Sequence, residues 1–244
     1  MSFQDWYNRQ DKVHFREISR RYDFILLDCC AFGFSRKEFI DFNLNHLAND
    51  PQKQVRKERR ALEEQLEVIS IAQNIYVTSG VLQEFLKLID IVSKKVTCIE
   101  NTISANFRRD RKYNGKNTKG QEKLGSFLRS LESVLDLYQN IFGNLAESRT
   151  QSNQFYFKEG RGSTTDREIV STALTHYLTN EDHNVAILTR DHDIMYLLIQ
   201  HFQRQARARK EDLNQRLGVY FVSREEPSQA VEVKTQPYLS GNCG

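Results

Sequence analysis

Val185-Ala-Ile-Leu-Thr-Arg-Asp-His-Asp193 is a short apolar run that delivers two carboxylates, Asp191 and Asp193, where the run stops. Such a run, bounded by polar residues, fits a strand buried on both faces, as in a parallel sheet. In open α/β sheets ligands bind just beyond the carboxyl ends of the strands. An acid placed there is poised to hold a cation or assist chemistry, and other acids reaching the same edge would form a site with it.

Three other segments bring acids to strand ends. Phe24-Ile-Leu-Leu27 is a compact apolar run ending at Asp28, followed by Cys29-Cys-Ala-Phe-Gly33, small enough for a tight strand-to-helix turn. Taken alone, N-capping of the next helix accounts for Asp28 better than chemistry does. Ile75-Tyr-Val77 is a strand rich in β-branched and aromatic residues. Thr78-Ser-Gly80 stops it, and Glu84 falls near the start of the following helix, where the macrodipole also favours acids. Thr164-Thr-Asp166-Arg-Glu168 opens another helix; Thr165 and Glu168 read as a capping box, which leaves the Asp166 carboxylate free of a capping duty. Strands alternating with helices imply a parallel sheet, and in a right-handed layout their ends share one edge. Asp28, Glu84, Asp166 and Asp191 are therefore expected to converge although they lie far apart in the chain.

A cluster of this kind has an electrostatic cost. Two carboxylates about 4 Å apart repel by roughly 4 kcal/mol at an effective dielectric of 20. Protonation or a bound cation relieves it. Oxygen ligands without a Cys/His set favour Mg2+ or Mn2+ over zinc.

The remainder is a frame for that edge. A helix is expected over 36–47, one over 52–72, and a long one over 81–109 with Val81, Phe85, Leu88, Ile89 and Val92 on one face. Leu124, Leu128, Leu131, Leu135, Tyr138, Phe142 and Leu145 recur at three and four residues, an amphipathic helix. Phe155-Tyr-Phe157 reads as a short strand and Val219-Tyr-Phe-Val222 as the last one. The expected organisation is a polar helical lead-in over 1–21, an α/β domain over 22–224 with an enlarged helical and loop region over 92–160, and a frayed tail over 225–244.

Composition bounds the class. The 244 residues are 39% hydrophobic and 27% charged, with 35 Lys+Arg against 32 Asp+Glu and a net charge of +3. That length suits one good-sized domain. No run of 18 apolar residues occurs, which excludes a spanning helix, and the first residues lack the basic-then-apolar plan of a secretory signal. Cys29, Cys30, Cys98 and Cys243 show no CxxC spacing, so reduced thiols are expected rather than a disulfide framework or a zinc site. A cytoplasmic protein is the expectation. Basic clusters recur at 53–60, 108–112 and 204–210; each alone is a solvated helix face, and together they fit a surface that meets phosphates.

In this order Phe24-Ile-Leu-Leu-Asp28, Val77-Thr-Ser-Gly-Val-Leu-Gln-Glu84, Thr165-Asp166-Arg-Glu-Ile-Val-Ser-Thr-Ala173 and Ile187-Leu-Thr-Arg-Asp191-His-Asp193 resemble the PIN-domain nucleases over about residues 22 to 222. The resemblance implies a Rossmann-like, three-layer α/β/α domain with a mostly parallel sheet. It also implies metal-dependent hydrolysis of phosphodiester bonds, in single-stranded RNA above all. Asp28, Glu84, Asp166 and Asp191 match the four acidic positions and become the expected Mg2+ or Mn2+ ligands. Asp193 matches an additional acid, and Thr189 the hydroxyl residue that precedes the fourth. Cys29-Cys30 departs from the family, which has Thr, Ser or Asn after the first Asp, and the middle region is longer than in compact members such as bacterial toxins. Arg161, Arg167 and Arg190 beside the acids, with Lys112, Lys116, Arg204 and Arg207 from the basic clusters, are expected phosphate contacts. His192 lies between two acids, but neighbours on a helix turn diverge, which disfavours it as the general base. The resemblance leaves room for a homodimer and a regulatory protein partner, with no membrane association. The alternative is a catalytically silent module that keeps the fold and binds nucleic acid or protein. A phosphatase-like or receiver-like domain using Asp28 as acceptor fits poorly, because no Asp-x-Asp follows the first strand.

Overall fold

Three strands buried along their whole length, Phe24–Leu27 (β2), Val185–Thr189 (β5) and Leu217–Val222 (β6), form the centre of the computed structural model. The structure describes residues 7–31, 51–112, 118–150, 155, 157, 160–204, 216–222 and 228–233. β2 pairs parallel with β5 on one side and with Ile75–Val77 (β3) on the other; β5 pairs parallel with β6, and β3 with the short Ala146–Glu147 (β4). Two antiparallel strands complete the edge beyond β6: Gln229–Glu232 (β7) pairs with β6, and Lys12–His14 (β1) pairs with β7. The strand order is β1-β7-β6-β5-β2-β3-β4. The chain runs outward from β2 through β3 to β4, then returns to lay β5 and β6 on the other side of β2. The reversal between β2 and β5 is the topological switch point of the sheet, where open α/β sheets place their ligands.

Six α-helices occur among the described residues: Phe15–Arg21 (α1), Pro51–Ile71 (α2), Ser79–Lys112 (α3), Thr118–Asn144 (α4), Thr164–Thr179 (α5) and His192–Arg204 (α6). The arrangement is α/β with a mostly parallel central sheet, consistent with three layers. α3 buries Val81, Phe85, Leu88, Val92, Val96 and Ile99, and α4 buries Phe127, Leu131, Val134, Tyr138 and Ile141. Both sets step by three and four, so each helix keeps one apolar stripe. The Phe85 ring meets Tyr138 at 5.5 Å and Phe142 at 6.2 Å, which brings the start of α3 to the end of α4. The long middle region is thus an antiparallel helical hairpin. The buried stripe of α4 is turned by about one residue from the Leu-based one, because Phe127, Val134 and Ile141 complete it while Leu128, Leu135 and Phe142 flank it. No described helix is long and apolar enough to cross a membrane.

The ends of the domain differ from expectation. Residues 12–14 are a strand within the expected helical lead-in, and 229–232 are a strand within the expected tail, so the sheet runs well outside 22–224. The cause is cooperative: Val13, Ala230 and Val231 are too few to announce a strand, yet each gains a ladder partner once β6 exists. Phe155 and Phe157 are not in a strand; Phe157 is buried as a core side chain. The helix expected over 36–47 lies outside the described residues.

One close approach in the sheet gives a stability prediction. A methyl group at Gly218 of β6 would strike the Tyr22 hydroxyl and lie 3.0 Å from Tyr220 Cε2. The two tyrosine hydroxyls are themselves bonded at 3.0 Å, which limits their retreat. Gly218→Ala is expected to cost about 1–2 kcal/mol, the lower part of the overpacking range. Urea unfolding checks it, and adding Tyr22→Phe should return part of the loss by removing the struck oxygen.

Candidate active site

β2 and β5 end side by side, and their ends are locked together. The Asp28 amide donates to the Leu188 carbonyl at 2.9 Å, continuing the ladder one residue past β2. This places the Asp28 carboxylate, buried, against Thr189. Thr189 Oγ1 donates to Asp28 Oδ2 at 2.6 Å and accepts from the Asp191 amide at 2.8 Å, so one hydroxyl joins the two acids. Cys30, in the 3-10 turn Cys29–Ala31, adds a thiol donor to the same Asp28 oxygen at 2.7 Å. The Cys30 amide approaches Asp28 Oδ1 at 3.4 Å, so Asp28 also performs part of the capping role available to it. The Asp28 carboxylate is thus oriented by the Thr189 hydroxyl and the Cys30 thiol together.

The other acids are held by local helix-start chemistry. Asp191 precedes α6 and its Oδ1 accepts from the Asp193 amide at 2.8 Å. Asp193 Oδ2 accepts from the Gly162 amide at 3.2 Å, tying the loop before α5 to α6. The capping box of α5 is Ser163 with Asp166, not Thr165 with Glu168, and the Asp166 carboxylate does cap: its Oδ2 accepts from the Ser163 amide at 2.6 Å. Thr165 instead donates to Glu84 Oε1 at 2.6 Å. Glu168 reaches across to the start of α3, accepting from Ser79 Oγ at 2.8 Å and the Gly80 amide at 2.9 Å. α3 and α5 are therefore stapled beside the site through Glu84–Thr165 and Glu168–Gly80. Thr165, Glu168 and Cys30 have structural roles at the site that spacing alone did not reveal.

Each of these carboxylates is satisfied by neutral donors, and none of the five acids forms an ion pair with Lys or Arg among the described residues. The consequence is visible in their protonation. Burial pushes Asp28 up from 3.8 to about 6, against the pull of the Cys30 and Thr189 hydrogen bonds, and the charge of Asp166 pushes the same way. Burial also raises Asp191, with Asp166 and Asp193 adding repulsion and His192 opposing it. Burial, then the charges of Asp28 and Glu84, raise the Cys29 thiol, and burial beside Asp28 raises Cys30, so both remain thiols. Asp166 thus acts on both Asp28 and Asp191, Asp193 acts on Asp191, and Asp28 and Glu84 both act on Cys29.

The donor set, carboxylate oxygens only, suits a hard divalent cation. Among the described residues no group of three or more His, Cys, Asp or Glu side chains stands close enough to hold one ion as placed. Each carboxylate accepts from a neighbouring amide, hydroxyl or thiol. Of the expected basic residues, Arg161 is exposed with its guanidinium 4.0 Å from the Tyr196 ring centroid. Arg167 donates from Nη2 to the Arg161 carbonyl at 3.2 Å, and Arg190 donates from Nε to the Val222 carbonyl at 3.2 Å. The Arg190 bond draws that guanidinium back toward the sheet. The side chains of Lys112, Lys116, Arg204 and Arg207 lie outside the described residues. His192 is exposed, with its ring 4.6 Å from that of Phe221. No protein-family model matches the chain, and comparisons with curated proteins and with solved structures return no match.

Proposed function

We propose that this chain is a PIN-like, metal-dependent nuclease that hydrolyses phosphodiester bonds, with single-stranded RNA as substrate. The observation that carries the proposal is a set of carboxylates at the switch point of a parallel sheet, two of them raised in pKa, that form no ion pair with Lys or Arg among the described residues. A hard divalent ion is a counter-charge that suits such a set. Asp28, Asp166 and Asp191, with Glu84 opposite, would hold Mg2+ or Mn2+, which supplies water activation and stabilises charge on a phosphoryl group. Thr189 orients the Asp28 carboxylate and holds the Asp191 backbone beside it, which supports pre-organisation of this edge before substrate arrives. Asp193 pins the Gly160–Gly162 loop, and Arg161 on that loop offers positive charge to a polyanion.

The silent-module alternative draws its support from the spacing of the acids, no three of which stand close enough among the described residues to hold one ion. Labelled single-stranded RNA, with a DNA strand of the same sequence in parallel, separates the two. The expected result is cleavage with Mg2+ or Mn2+, none in EDTA, and a loss of roughly 100-fold or more in Asp28→Asn and in Asp191→Asn. Cleavage unchanged in both variants would reject this site. Binding of RNA that survives both substitutions, with no metal-dependent turnover, would establish the silent module.

A further inference from the structure

A centre lined with carboxylates repels the phosphates it would cut, so positive charge has to stand at its rim in a fixed position. Gly160-Arg161-Gly162 supplies one such position. Both glycines have positive φ, 95° and 71°, a left-handed conformation that side chains resist. Gly162 is also packed tightly: a methyl group there would lie 2.8 Å from Leu197 Cδ1 and 3.5 Å from Asp166 Cβ. The Gly162 amide donates to Asp193, and Arg167 holds the Arg161 carbonyl. The turn is thereby fixed against the acids from two sides, and it carries Arg161 over the ring of Tyr196 at 4.0 Å. Tyr196 follows Asp193 by three positions on α6, which sets the stack on the helix face that bears that acid. Arg161 is exposed and forms no ion pair among the described residues.

A guanidinium backed by an aromatic ring is a plane as well as a charge. Unpaired bases stack on aromatic rings and on Arg guanidinium planes, whereas bases inside a duplex are already stacked on their neighbours. We propose that the Arg161–Tyr196 stack is the step on which an unpaired nucleobase of single-stranded RNA rests, with the guanidinium edge bound to the adjoining phosphate. Arg161 then serves as the residue that selects single strands over duplexes beside the acidic centre. The proposal takes its ligand from the nuclease reading, but it concerns binding and is tested without turnover.

The test uses the full chain in EDTA, a short RNA carrying one 2-aminopurine, and a duplex of the same sequence. Wild type is expected to bind the single strand about tenfold more tightly than the duplex and to quench the 2-aminopurine emission, as stacking does. Arg161→Lys keeps the charge and loses the plane. It should lose about tenfold in single-strand affinity and lose the quench, while duplex affinity and salt dependence stay as in wild type. Arg161→Ala should lose single-strand affinity too, with its salt slope reduced by about 0.7, one phosphate contact. Tyr196→Phe retains the platform and should behave as wild type. Arg161→Lys matching wild type in single-strand affinity and quench would overturn the stack in favour of a point charge. Arg161→Ala without effect, or a wild type that binds no RNA, would overturn the proposal altogether. Metal-dependent cleavage measured separately keeps the two ideas apart. A nuclease whose Arg161→Lys still discriminates sinks only the stack, and an inert protein with an Arg161-dependent stack sinks only the nuclease.

Discussion

Asp28→Asn is expected to make the metal-free protein more stable near neutral pH, against the usual direction of a buried substitution. Asp28 holds its proton more tightly in the folded chain, at about 6 against an ordinary 3.8. Between those values the folded state binds more protons than the unfolded state, so stability is fully present below about pH 4. It falls as pH rises through 6 and stays low above. The gap corresponds to about 3 kcal/mol of destabilisation carried by the ionised carboxylate at pH 8. Asn removes the charge at nearly constant volume and can still accept the Thr189 and Cys30 hydrogen bonds through its oxygen. Its NH2 group then faces the Cys30 amide, which offsets part of the gain. A net gain of about 2 kcal/mol, roughly 4–8 °C in melting temperature for a domain of this size, is the expected result at pH 8, shrinking toward zero near pH 4. Mn2+ should raise the melting temperature of wild type and do far less for the variant, because the ion stabilises the charge that Asn lacks. A melting temperature at pH 8 that is unchanged or lower in Asp28→Asn, with the Mn2+ effect intact, would show that Asp28 is neither strained by its burial nor part of a cation site.

The elements that place this site were legible in the sequence for a simple reason. β2, β3 and β5 are short apolar runs that end abruptly in polar residues, and burial on both faces of a parallel strand requires that pattern. Asp28 and Asp191 could be assigned because they directly follow such runs. The capping box sits two residues before the position that spacing suggests, because Ser163, Thr164 and Thr165 are all chemically able to cap and Ser163 is the one that follows the Gly160–Gly162 turn tied to Asp193. Edge strands β1 and β7 are not legible in the sequence because three or four residues with one or two apolar side chains carry no periodic signal; their partners define them. Most of the bonds within the site were invisible for the same reason. Thr189 to Asp28, Thr165 to Glu84 and Glu168 to Gly80 join residues remote in the chain, and spacing encodes only what is near.

Thr189→Val tests the linkage between the two strand ends and has the opposite sign to Asp28→Asn. Valine matches threonine in shape, so the fully buried site need not repack, and only the hydroxyl is lost. Two bonds go with it: the donation to Asp28 and the acceptance from the Asp191 amide. A hydrogen bond to an ionised group contributes about 1.5–3 kcal/mol, a neutral one about 0.5–1.5, and an unsatisfied buried donor costs about 1–3. Near pH 8, where Asp28 is ionised, the loss should be about 3–4 kcal/mol; near pH 5, where it is protonated, about half of that. The direction follows from linkage: without a hydroxyl favouring the charged form, the folded-state pKa of Asp28 rises further above 3.8, and stability falls more steeply with pH. Thr189→Ser restores the hydroxyl and should recover most of the loss. Combining Thr189→Val with Asp28→Asn should cost less than the sum of the separate changes at pH 8, by about 1 kcal/mol, since the charged bond is absent from the start. Denaturant midpoints at the two pH values measure wild type and the four variants. Equal losses at pH 5 and pH 8, with strict additivity in the double variant, would mean that Thr189 fills space between the strands without governing the charge of Asp28.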